Sequence, residues 1–341
     1  MTSKAKDLYV PTLKTKKDIN QEALKTIELE RSGKQLGLRT RFGKLNTAVG
    51  KYFRFKQVIS INGLSGHGKS SFLNMLLEDF KNPKINGNFE EPLVIVHNTW
   101  EMIPSDEVIR GISSKVEKSH LYLLSSEINK DTGKYNRVTD YEFQTIKDIL
   151  LEDDKDDHYY FDEPTTLSGI IENIKVAIKF YQDKYALEIE NKTKPIIPKV
   201  VIALDHTLLV VGKENSSIID TMFGLASLAI HLKKKGYMVL FIGQLNNEIE
   251  KLERIKNIQG HYPIKSDVYA QAQLYNACDI VTVIHQPELL GILEYGRKRL
   301  KTSKLVHLLL LKNRFSNVGS VWFENALEKG KFYEIEPESN T

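Results

Sequence analysis

The sequence of 341 residues contains one cysteine, Cys278, so no disulfide can form within the chain. No apolar run approaches the ~18 residues needed for a membrane-spanning helix, which excludes that class of membrane protein and predicts no membrane contact. The opening residues, MTSKAKDLYVPTLKTKK, lack the apolar stretch of a secretory signal. There is no internal repeat and no low-complexity tract, so solenoid and fibrous architectures are excluded as well. Together these absences imply a cytoplasmic setting. What remains, 41% hydrophobic and 27% charged residues, is the composition of an ordinary globular chain. The length fits one large α/β domain or two small ones.

The net charge of +4 is unevenly spread, with 14 Lys/Arg against 5 Asp/Glu in residues 1–60 and 34 against 39 in the rest. A basic front suits nucleic acid or an acidic neighbour, and a solvated tail equally well. Residues 1–17, with five lysines and little apolar periodicity, read as a flexible arm. The next segment, DINQEALKTIELERSG, has capping-box spacing at Asp18 and Gln21 and an apolar stripe of Ile19, Ala23, Leu24 and Ile27. Ser32 and Gly33 end it. Its own domain or a neighbouring subunit must cover the stripe. The organisation expected is an arm (1–17), a linker helix (18–36), one domain (37–336) and a short tail (337–341).

From residue 57 onward, β-rich runs alternate with helical patterns. Strands are expected at 57–62, 93–98, 199–205, 238–243, 279–284, 306–311 and 320–323, and helices near 69–81, 104–118, 139–151, 166–185 and 216–235. Alternation of this kind predicts a mostly parallel sheet flanked by helices, with the last strands as antiparallel edges. The acidic stretch LEDDKDDHYYFDE (151–163) carries seven acids and one lysine and reads as a solvated loop rather than a metal site.

The most specific signal is GLSGHGKS, residues 63–70, which satisfies G-x-x-x-x-G-K-[ST] between an apolar strand and a helix. Glycines allow positive φ, so successive N–H groups can turn onto phosphate oxygens, and the helix N-terminus adds partial positive charge. The candidate nucleotide-binding residues are Gly63, Ser65, Gly66, His67, Gly68, Lys69, Ser70 and Ser71. ATP is the expected ligand, with Lys69 on its β/γ-phosphates and the Ser70 hydroxyl on Mg²⁺. Asp205, ending the run VVIALD, is the second candidate metal ligand. His206 follows it, where many such ATPases place a Glu, so the water-activating base must lie elsewhere. Glu101 is the nearest candidate, provided strands 57–62 and 93–98 are neighbours. Gln244 ends another buried strand, within reach of a γ-phosphate. Lys312 and Arg314, two apart at a strand end, fit either charge stabilisation of a transferring phosphoryl group or an exposed turn.

Taken in order, these segments resemble the C-terminal ATPase domain of DnaB-like replicative helicases, a hexameric branch with a RecA-like P-loop NTPase fold. NTWEMIPSDEVIRGISS is similar to that family's Ser-Leu-Glu-Met motif, which implies Glu101 as catalytic base. FIGQLNNEIEKLE is similar to its Ser-Gln-Leu-Asn-Arg motif, with Asn247 where Arg is usual. KNRFSNVGSVWFE resembles the Lys-x-Arg-x-Gly segment, with its glycine shifted to Gly319, and implies that Lys312 and Arg314 act on ATP held by the adjacent subunit. The resemblance spans about residues 18–335 and implies a homo-oligomer, a hexameric ring in which the helix near 18–33 docks on the next protomer. It also implies single-stranded DNA as partner, with primase or a loader as further partners. No counterpart of the family's N-terminal helical domain is visible, which hints at a phage or mobile element. Candidate DNA contacts are Lys251, Arg254, Lys256 and Lys265 after Gln244, and Arg297, Lys298, Arg299, Lys301 and Lys304 in GRKRLKTSK; solvated hairpins fit these residues equally. The reading is an ATP-driven helicase motor. An accessory RecA-like ATPase, acting as recombination mediator or helicase loader, is the alternative, and a small-molecule kinase fits less well because no Arg-rich lid is present.

Overall fold

The computed structural model describes residues 13–128, 132–133, 135–257, 260–268 and 271–337. It forms two units, Met1–Leu36 and Gly37–Thr341. Most of the expected basic arm (1–12) and tail (338–341) lies outside the described residues.

In the first unit, helix α1 spans Lys16–Arg31. Its capping box is Thr15 with Asp18, not Asp18 with Gln21. The Thr15 hydroxyl accepts the Asp18 amide at 3.2 Å and the Asp18 carboxylate accepts the Thr15 amide at 2.8 Å, so the helix starts earlier than the apolar pattern suggests. Ser32 caps the other end and Gly33 turns the chain with φ +80°. The stripe of Ile19, Leu24 and Ile27 is exposed.

In the second unit, nine strands form one sheet: β1 (Val58–Gly63), β2 (Leu93–Thr99), β3 (His158–Phe161), β4 (Lys199–Asp205), β5 (Met238–Gln244), β6 (Ile280–His285), β7 (Leu305–Asn313), β8 (Gly319–Ala326) and β9 (Lys331–Ile335). Their order is β9-β8-β7-β6-β1-β5-β4-β2-β3. Strands β6, β1, β5, β4, β2 and β3 run parallel, and β7, β8 and β9 add antiparallel pairs at one edge. The main helices are α2 (Lys69–Lys81), α3 (Pro104–Val116), α4 (Asp140–Asp153), α5 (Leu167–Lys184), α6 (Ile218–Lys234) and the short α7 (Gln271–Ala277). β1 is buried on both faces because alternate residues serve two cores. Ile59 and Ile61 pack with Phe72, Leu73 and Leu76 of α2, while Val58 belongs with Ile170 and Ile174 of α5 and Met222 and Leu225 of α6.

Two expectations change here. Residues 158–161 are not loop but the edge strand β3, paired parallel with β2. The flanking acids masked the β-prone HYYF run. Those acids are also less solvated than expected, because Asp153, Asp156 and Asp157 pair with Lys115 (2.6 Å), Lys81 (2.9 Å) and Lys184 (2.8 Å). The second change is strand order: β1 and β2 are not neighbours, since β5 and β4 lie between them. No described helix is long and apolar enough to cross a membrane.

Candidate functional site

All the parallel strands end on one side of the sheet, and the glycine loop sits there. β1 delivers Gly63, the loop turns through Gly66 (φ +76°) and Gly68 (φ +85°), and α2 begins at Lys69 without a side-chain cap. Its first amide groups are therefore directed at the concave side of the loop, an arrangement suited to an anion. At Gly68 the constraint is also steric, because a Cβ would lie 2.8 Å from Phe332 Cζ. Lys69 is buried and its ammonium donates to the Leu64 carbonyl at 2.9 Å. Burial pulls its pKa down, against the opposing charges of Glu101 and Asp205. Ser65 and Gly66 are exposed at the tip, and Ser70 and Ser71 are half-buried in the first turn of α2.

The loop is braced from the other side by β6. The Gln286 amide donates to His67 Nδ1 at 3.1 Å, and Gln286 Nε2 donates to the His67 carbonyl at 3.0 Å. Asn325 Nδ2 in turn donates to Gln286 Oε1 at 2.7 Å. Burial, then the Lys69 charge, lowers the His67 pKa to about 4, so the ring is neutral and its Nδ1 is free to accept. Gln286 and Asn325 carry no motif signal; only the strand packing reveals them.

Asp205 ends β4 with 1% of its surface exposed, and its Oδ1 has no hydrogen-bond partner among the described residues. Burial raises its pKa to about 6, opposed by a hydrogen bond from Ser70. β2 ends in register with β4, Thr99 opposite Asp205, and the Trp100 amide donates to the Asp205 carbonyl at 2.8 Å. This places Glu101, which is exposed, close enough for its charge to act on both Lys69 and Asp205. Thus Glu101 reaches the site through Asp205 rather than through adjacency to β1. A second carboxyl was missed in the sequence: Glu107 of α3, buried, accepts the Thr99 hydroxyl at 2.7 Å, and burial raises its pKa to about 7. Gln244 ends β5 directly opposite Gly63 and is half-buried. Among the described residues no group of three or more His, Cys, Asp or Glu converges as a metal site.

Lys312 and Arg314 lie elsewhere. β7 runs antiparallel to β6, with Asn313 opposite Ile280, and Ile280 is opposite Ile59 in β1. The pair therefore sits at the sheet end where β1 begins, roughly 20 Å from the glycine loop by strand rise. There Lys312 Nζ donates to the carbonyls of Tyr275 (2.7 Å) and Asn276 (3.2 Å), and Arg314 pairs with Asp279 at 3.0 Å.

The two basic segments follow β5 and β6, the strands on either side of β1, and so emerge at the loop's end of the sheet. Their bases pack together through Tyr262 and Tyr295, with ring centroids 5.1 Å apart, and through His261 and His285 at 5.3 Å. Arg297, Lys298 and Arg299 form the exposed tip between the paired strands Glu294–Tyr295 and Leu300–Lys301. Lys301 and Lys304 are exposed on the same hairpin. Lys251 and Lys256 are exposed too, with Lys251 paired to Glu248 at 2.6 Å. Lys265 lies over the Tyr275 ring. Arg254 differs: its guanidinium bonds Asp267 at 2.5 Å and the Tyr262 carbonyl at 2.8 Å, so it braces the segment instead of projecting from it.

No protein-family model matches the sequence, and no curated protein matches it. The fold, however, is that of RecA-like helicase domains. It matches a solved helicase ATPase domain with a TM-score of 0.65 and 15% identity, over 93% of this chain and 98% of that one. It matches a DnaB-like replicative helicase, solved for its interactions with primase, with a TM-score of 0.65 and 16% identity, over 93% of this chain and 67% of that one. The likeness expected from the ordered motifs is present in the fold, at an identity too low for sequence comparison to register.

Proposed function

We propose that the chain is an ATP-driven, ring-forming helicase motor that moves on single-stranded DNA and hydrolyses ATP between subunits during DNA replication. The observation that carries this reading is the division of one sheet into two complementary ends. One end holds the glycine loop, Lys69, Ser70, Asp205 and Glu101, and the other holds Lys312 and Arg314. A cation pair roughly 20 Å from its own loop serves a triphosphate only in a neighbouring copy.

In this mechanism the loop amides and Lys69 hold the β/γ-phosphates. The unpartnered Asp205 Oδ1 and the adjacent Ser70 hydroxyl fit Mg²⁺, which takes one or two protein oxygens and completes its shell with phosphates and water. Bound there, the ion would neutralise charge on the phosphates. Glu101 accepts a proton from the attacking water, and Gln244, opposite Gly63, donates to the γ-phosphate and passes its loss to the basic segment behind it. The exposed hairpin Arg297–Arg299 and Lys251 and Lys256 track the DNA backbone. The exposed Ile19, Leu24 and Ile27 of α1 supply a surface for the next subunit, and primase or a loader is the partner class suggested by the replicative-helicase neighbour.

The test is ATP turnover and forked-duplex unwinding by the wild type and Lys69→Ala, with and without single-stranded DNA. The expected result is DNA-stimulated turnover and strand separation in the wild type and background in the variant. Equal turnover in both overturns the reading, and turnover without strand separation selects the accessory ATPase.

A further inference from the structure

Asp279, at the start of β6, is 1% exposed yet receives four donors. Lys233 Nζ contacts its two oxygens at 2.6 and 2.8 Å, the Val58 amide donates at 2.9 Å, and Arg314 Nη1 donates at 3.0 Å. The two cations are held differently. Lys233, from the last turn of α6, is 26% exposed and straddles the carboxylate. Arg314 is 48% exposed and touches it with one terminal nitrogen, the other donating to the Asn276 carbonyl at 3.1 Å. The Arg314 amide donates to the Asp279 carbonyl at 3.0 Å, so the Cα is pinned while the side chain is free to rotate.

We propose that Asp279 is the parking site of Arg314, and that Lys233 is the counter-cation that allows Arg314 to leave for the neighbouring subunit's triphosphate. This rests on Arg314 acting in trans. A buried carboxylate stripped of its cations is strongly penalised. With Lys233 in place, departure of Arg314 leaves Asp279 with a cation and an amide donor. The loss is then one single-nitrogen contact of a half-exposed group, not the forked pairing that binds arginine firmly. Remove Lys233 and the same departure strands the carboxylate, so Arg314 stays parked. Asp279 and Lys233 are positioning residues; neither reaches the nucleotide.

The two sides of the triad therefore predict opposite signs. At saturating ATP and single-stranded DNA, Lys233→Met is expected to lower kcat three- to tenfold with KM little changed, and Lys233→Arg to restore it. Asp279→Asn, with a weaker acceptor for Arg314, is expected to leave kcat at or above the wild-type value. Both changes weaken the same buried cluster, so a purely structural role would depress activity in both. In the Arg314→Ala background Lys233→Met should have no further effect. If Arg314→Ala leaves kcat intact, the trans role of Arg314 and the parking proposal both fall. If Arg314→Ala is impaired but Lys233→Met matches the wild type, or lowers kcat further in the Arg314→Ala background, parking is overturned while the trans role stands. Should Asp279→Asn fail to fold, the Lys233 pair still decides.

Discussion

Asp205→Asn should stabilise the ligand-free protein. Asp205 carries its carboxylate almost fully out of water, with one oxygen unpartnered, and its pKa rises from 3.8 to about 6. A shift of that size corresponds to about 3 kcal/mol of destabilisation when the group is ionised. Because the folded pKa is the higher one, the folded chain binds the proton more tightly than the unfolded chain. The group's contribution is therefore fully favourable below about pH 4 and is lost as pH rises through about 6. Asn has no charge to bury. In urea unfolding without nucleotide, the variant should exceed the wild type by about 3 kcal/mol at pH 8, a margin that shrinks by about 1.4 kcal/mol at pH 5. Magnesium with a non-hydrolysable ATP analogue should reverse the ranking. The wild type gains about 2.7 kcal/mol at a hundredfold excess over Kd, and the variant, lacking its metal carboxylate, gains little. Equal stability of the two proteins at pH 8, or a difference independent of pH, would refute the reasoning.

Other expectations follow from the same geometry. Glu101→Gln should lower kcat by about 10²- to 10⁴-fold while nucleotide affinity, measured by equilibrium binding, stays close to that of the wild type. Gln286→Ala should destabilise the protein by about 2 kcal/mol, because the buried His67 carbonyl loses its donor, and should weaken nucleotide binding measured at the same temperature. Neutralising Arg297, Lys298 and Arg299 together should flatten the salt dependence of DNA affinity by about 2 to 3 log units per log unit of salt without altering the melting temperature. Arg254→Ala should do the reverse, lowering the melting temperature through the unpaired Asp267 and changing the salt slope little.

The strands and the loop could be read from the chain because both are local. Six apolar residues ending at Gly63 and a fixed glycine spacing need no partner to be recognised, and helix 69–81 was placed to the residue. The antiparallel edge followed from strands with no helix between them. What depended on distant pairings was hidden. The Gln286 brace on His67 joins residues 219 positions apart, and neither has a signal of its own. The position of β2 relative to β1 is likewise a property of the assembled sheet, so Glu101 was named for a neighbourhood that β4 and β5 in fact occupy. In β3, the charges around HYYF outweighed its β-prone core because the lysines that neutralise them lie on α2, α3 and α5. At Arg254 a count of basic residues could not distinguish a cation turned outward from one turned onto Asp267.

The separation of Lys69 from Arg314 by the full length of a strand means that each copy gives at one end and receives at the other. A copy with a ruined loop still lends its guanidinium, and a copy without the guanidinium still offers an intact cradle. Blending Lys69→Ala with Arg314→Ala chains should therefore yield turnover that neither pure preparation has, each defect being covered by the neighbour that lacks it.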